Sequence, residues 1–110
     1  MIVTHLHEDH FDEKAKQELP RELPIFVQNE SDSRVLIEAG FQNANVLGQN
    51  TALGPVRLIW TPAQHGYDDA IVRALGDVCG VVMQSAREKT LYITGDTVWF
   101  TGVEDTISHY

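Results

Sequence analysis

Short apolar runs alternate with polar, helix-favouring stretches along this 110-residue chain, which predicts an α/β fold. "MIVTH" is β-branched and apolar and reads as the end of a buried strand that delivers a polar cluster. "DEKAKQEL" is rich in good helix formers, and Pro20 stops it. "LPIFVQN" follows as a strand. "SDSRVLIEAG" carries helix signals at both ends, with Ser31 as N-cap, Asp32 in the first turn and Gly40 placed for a left-handed cap. "NANVLG" is read as a short strand, and "GPVRLIWTPAQHG" as a strand closed by Pro62 with His65 just past its end. "DVCGVVMQSAREKTLYITGDT" holds two apolar strands around the polar turn "SAREK", a hairpin with a longer loop that brings Asp96 to the end of its second strand. "GVEDTISHY" is a weaker helix at the end of the sequence.

Three polar sites therefore fall at or beyond strand ends: His5 to His10, His65, and Asp96. In layered α/β architectures, ligands and catalytic groups gather on loops at one edge of a sheet.

Composition narrows the function classes. Hydrophobic residues make up 43% and charged residues 22%, enough apolar surface for a globular fold and for one small domain over residues 1–110. Sixteen Asp and Glu against eight Lys and Arg give a net charge of −8, with no basic cluster. Such a surface repels phosphate backbones and anionic lipid, so nucleic acid and membrane are disfavoured as partners. No run of about 18 apolar residues is present to span a bilayer. Cys79 is the one cysteine, compatible with a reducing cytoplasm, and in "VCGVVM" it reads as a small core residue.

"THLHEDHFD" concentrates three histidines and three carboxylates in nine positions. His5 and His7 are two apart, so in strand geometry both point to one face and can hold one ion together. Asp9 and His10 come where the chain turns toward the helix and could serve a neighbouring ion. Imidazole with carboxylate suits zinc and also admits manganese or iron. Taken alone, "HLHEDH" is equally readable as a hydrated turn, and His65 as an ordinary hydrogen-bonded histidine. Their occurrence together with "TGDT" after an apolar strand favours a metal site.

The run "THLHEDH" resembles the H-x-H-x-D-H signature of the metallo-beta-lactamase superfamily. "PAQHG" and "LYITGDT" resemble the family's next two metal motifs in the right order, 55 residues from His10 to His65 and 31 more to Asp96. Within it, "TPAQHG" and "YITGDTVWF" are most similar to the branch that includes the ascorbate-phosphate lactonases. The resemblance implies an αββα sandwich of two mixed sheets between helices. It also implies two divalent metal ions, zinc or else manganese or iron, with His5, His7 and His65 on the first, Asp9 and His10 on the second, and Asp96 bridging.

The implied activity is that of a hydrolase using a metal-bound hydroxide on a small-molecule ester, lactone or phosphoester, with Asp9 as catalytic residue orienting the nucleophile or passing on its proton. Thr94 and Thr97 flank "GD" as candidate hydrogen-bond partners of the site. The family's domain is about twice this length, so residues 1–110 read as a central slice. Upstream strands and a downstream segment with a final histidine are expected beyond it. His109, 13 residues after Asp96 in a terminal helix, reads as a solvent-facing residue rather than that ligand. Open sheet edges would then need cover, which predicts a homo-oligomer. The alternatives are a non-catalytic metal-binding remnant or interaction module, and a phosphodiesterase or nuclease of the same superfamily, which the acidic charge disfavours.

Overall fold

The computed structural model describes residues 1–110, in two compact units, Met1–Leu47 and Gly48–Tyr110. The first unit runs β1 (Ile2–Val3), α1 (Glu13–Glu18), β2 (Ile25–Val27), α2 (Glu30–Glu38), β3 (Ala44–Val46). Its three strands are parallel, in the order β1-β2-β3. Val3 pairs with Val27, and Val27 with Val46. Parallel neighbours cannot be joined by a tight turn, so each connection crosses over through a helix. The apolar side chains of Val3, Phe11, Ile25, Val27, Leu36 and Phe41 form its core.

Helix α2 starts earlier than the sequence suggests. Its N-cap is Asn29, whose side chain accepts from the Asp32 amide at 2.9 Å, and Ser31 lies inside the first turn. Packing decides between these neighbouring polar candidates. With Asn29 as cap, Ser33 and Leu36 turn inward, and the Ser33 hydroxyl donates to the Ala44 carbonyl at 3.0 Å. Gly40 follows the helix with φ of +98°, in the left-handed region expected of it.

The second unit runs β4 (Thr51–Leu53), β5 (Val56–Pro62), α3 (Asp69–Leu75), β6 (Cys79–Gln84), β7 (Leu91–Ile93), α4 (Thr101–His109). Its four strands are antiparallel in sequential order, as a meander. β4 and α3 are additions to the sequence reading. β4 is three residues long and joins β5 through Gly54-Pro55, with Gly54 at φ of +57°, the sign a tight two-residue hairpin favours at that position. α3 is capped by Asp68, which accepts from the Ala70 amide at 2.7 Å, and gives way at Gly76, φ +77°. Leu58, Ile59, Cys79, Val81 and Val82 are fully buried, so Cys79 is the core residue its sequence context implies. The α/β class expected from the sequence holds. The mixture of strand directions is between the two sheets, since one is wholly parallel and the other wholly antiparallel.

Candidate metal centre

In the first unit, the buried residues Val3 and Phe11 hold the two ends of the polar loop between β1 and α1. The strand ladder ends at Val3, two residues before His5, so strand alternation does not orient the histidines as the sequence predicts. A turn does so instead. The His7 carbonyl accepts from both the His10 and Phe11 amides at 2.9 Å, which folds His10 back over the start of the loop.

The His5 ring consequently lies against two others. Its centroid is 4.4 Å from that of His7 and 4.1 Å from that of His10. A ring nitrogen of His5 is within 4.8 Å of one on His7, and likewise of one on His10. Two nitrogens on one tetrahedral zinc stand about 3.4 Å apart for bonds near 2.0–2.1 Å. His5 thus neighbours His10 as closely as it does His7. His5 is 1% exposed, and its Nδ1 lies 3.1 Å from the Thr4 hydroxyl. Such a contact orients an imidazole and favours Nε2 as the atom that reaches outward. Asp9 is 75% exposed, with a carboxylate oxygen 3.7 Å from His10 Nε2.

In the second unit, His65 is half-buried three residues beyond the end of β5. Gly66 after it is buried, and a side chain there would run into Ile71 at 2.8 Å, so α3 buttresses the His65 loop. Asp96 is exposed in the loop after β7. Gly95 sits before it at φ of +66°, with its α-carbon face pressed on the Cys79 carbonyl. Gly80 leaves room for the Thr94 carbonyl and the Thr61 hydroxyl, which a Cβ would meet at 2.9 and 2.5 Å. These two glycines let the "TGDT" backbone lie directly on β6. Nothing in the sequence around Gly80 marks it as a site residue, because its role depends on which strand runs beside it.

Hydrogen bonds join the His65 and Asp96 loops. The Gln64 amide donates to Thr97 Oγ1 at 3.1 Å, and the Val98 amide donates to the Gln64 carbonyl at 2.9 Å. Thr94 makes only a local contact, donating to the Gly95 carbonyl at 3.1 Å. His109 is exposed on α4 with its ring 4.5 Å from that of Tyr110, in keeping with the solvent-facing reading. It borders a cavity of about 540 Å³ with Trp60, Pro62 and Asp105; neither His65 nor Asp96 lines that cavity.

No protein-family model matches the chain. The UPF0173 protein YddR of Bacillus subtilis (strain 168) is 46% identical over 107 residues, 97% of this chain and 42% of that protein. The crystal structure of a possible metal-dependent hydrolase from Veillonella parvula DSM 2008 superposes with a TM-score of 0.94 at 33% identity, over 99% of this chain and 44% of that one. That of the isothiocyanate hydrolase from Delia radicum gut bacteria gives 0.91 at 36% identity, over 99% and 44%. Igni18, a metallo hydrolase from the archaeon Ignicoccus hospitalis KIN4/I, shares the fold at a TM-score of 0.73 and 24% identity, over 99% and 46%. With its backbone superposing on these structures almost throughout, the chain shares the metallo-hydrolase fold, resembles a metallo-beta-lactamase-like stretch, and spans less than half the length of the proteins it matches.

Proposed function

We propose that the chain furnishes the metal centre of a hydrolase acting on a small electrophile, an ester, lactone or phosphoester. The observation that carries this reading is the packing of the His5 ring against both His7 and His10. Three imidazoles gathered beside an exposed carboxylate form a donor set that suits zinc, manganese or iron. His5, His7 and His65 would hold a first ion and Asp9 and His10 a second, with Asp96 contributing to both. When bound, the ions would supply Lewis acidity and a water whose pKa is lowered to about 7.

The chain's own residues do the rest. The Thr4 hydroxyl steadies His5 through Nδ1. Asp9, largely solvent-exposed and beside His10, would orient the attacking water or take up its proton. The net charge of −8 disfavours a nuclease substrate. The name of the gut-bacterial neighbour adds isothiocyanates, whose central carbon is also open to attack by hydroxide, to the compounds worth assaying.

Elemental analysis of wild-type and His65→Ala protein tests this reading. The expected result is two ions per chain with turnover of generic esters or lactones, and loss of about one ion in the variant. Unchanged metal content in His65→Ala would remove His65 from the centre. One ion without turnover would favour the non-catalytic metal-binding remnant, the alternative raised by a span of 42–46% of the relatives' length.

Two further parts of the proposal concern surroundings. A reducing compartment such as the cytoplasm suits a chain whose one thiol is buried. No helix is long and apolar enough to cross a membrane. At the edge of its sheet, β7 exposes Leu91 and Ile93 at 54% and 41%. Such an edge recruits another strand, so a homo-oligomer is expected by size-exclusion chromatography with light scattering, and a stable monomer across micromolar concentrations would refute it.

A further inference from the structure

We infer that Thr97 is a positioning residue, whose hydroxyl latches the loop carrying His65 to the loop carrying Asp96 and so pre-organises the two as metal ligands. The inference rests on the metal-centre reading above for its functional meaning, and on hydrogen bonds within the second unit for its geometry.

Gln64 has both of its backbone polar groups committed to the 97–98 segment. Its amide donates to Thr97 Oγ1 at 3.1 Å, and its carbonyl accepts from the Val98 amide at 2.9 Å. The Thr97 hydroxyl in turn donates to the Val98 carbonyl at 2.9 Å. Its single proton is thereby spent, and a lone pair faces Gln64. The polarity of the chain, from Gln64 amide to hydroxyl to carbonyl, is set, and each bond strengthens the next.

In the ring that results, a side-chain oxygen takes the place a strand carbonyl would occupy in a ladder. This matters because neither loop belongs to a strand here: β5 ends at Pro62 and β7 at Ile93. His65 and Asp96 each lie one residue from the latch. A donor atom held in place before binding spares the ion the entropy of ordering it. Thr94, on the other side of Gly95-Asp96, bonds only to the adjacent Gly95 carbonyl and joins nothing across.

Valine at position 97 keeps the shape of threonine and removes the acceptor, while serine keeps the acceptor and removes the methyl. The test is zinc titration of metal-free wild-type, Thr97→Val and Thr97→Ser protein against a chromophoric chelator, with amide hydrogen exchange measured on the same metal-free samples. The expected result is zinc affinity about tenfold weaker in Thr97→Val, the scale of one net hydrogen bond, and within about twofold of wild type in Thr97→Ser. The Gln64 amide should be protected in wild type, lose most of that protection in Thr97→Val and regain it in Thr97→Ser.

Equal zinc affinity in wild type and Thr97→Val overturns the latch, as does a serine variant as impaired as the valine one. If wild type takes up no zinc, the metal-centre reading falls and exchange alone judges the latch. Loss of Gln64 protection in the valine variant then supports it, and unchanged protection overturns it. Should Thr97→Val fail to fold, wild type still decides, because a Gln64 amide exchanging at the rate of an open loop overturns the proposal.

Discussion

Phe11→Ala is expected to destabilise the first unit by about 3–5 kcal/mol, the range for emptying a buried aromatic site. Phe11 is 3% exposed, and its ring meets that of Phe41 edge-on at 5.9 Å. Phe41 is 1% exposed and carries the Arg21 guanidinium 4.7 Å from its centroid on another side, so its position leaves little freedom to fill the space. The cluster that Phe11 belongs to has six buried apolar side chains, and none can be lost cheaply. The effect reaches the metal motif, because Phe11 adjoins His10 and its amide closes the turn on the His7 carbonyl. Urea unfolding followed by circular dichroism measures the loss. A shift below about 1 kcal/mol would mean that the loop is not anchored through Phe11.

Gly95→Ala is the second large effect, at about 2–5 kcal/mol. Two costs add. A left-handed backbone conformation costs an L-residue about 1–2 kcal/mol, and forcing atoms into occupied space costs a further 1–3 kcal/mol. At φ of +66° the new methyl would overlap the Cys79 carbonyl oxygen. That carbonyl cannot retreat easily, because Cys79 is paired with Pro62 in the β5–β6 ladder and is fully buried. Gly54 provides the internal comparison: its φ is +57°, yet nothing lies within 4 Å of the space a Cβ would take. Gly54→Ala should therefore show the conformational cost alone. Similar losses in the two variants, by thermal or urea unfolding, would refute the close approach of the "TGDT" backbone to β6. Asp96 follows Gly95 directly, so weaker metal uptake should accompany the stability loss in Gly95→Ala.

Both variants act at places of different legibility in the sequence. The apolar runs, the Pro20 stop, the Gly40 cap and the long-loop hairpin around "SAREK" could all be read locally, because side-chain periodicity records which face of an element is buried. The α/β class was equally readable, and the superpositions on the two hydrolase structures agree with it. β4 escaped notice because three residues carry too little pattern. α3 is only seven residues long, too short for a clear helical period, and is marked only at its ends, by Asp68 and Gly76.

The sequence by itself made legible most of the elements, though not β4 or α3, together with the acidic surface and the identity of the candidate ligands. Tertiary structure decided how those ligands are presented: the turn on the His7 carbonyl that brings His10 against His5, the hydrogen bonds from Gln64 to Thr97 and Val98, and the glycine crossing of β6. The division has a physical cause. Burial periodicity is a local property of each segment. Which loop lies beside which is set by sheet order and register, that is, by partners 16 to 33 positions away in the chain, between Cys79 and Gly95 or Gln64 and Thr97, that no single segment encodes.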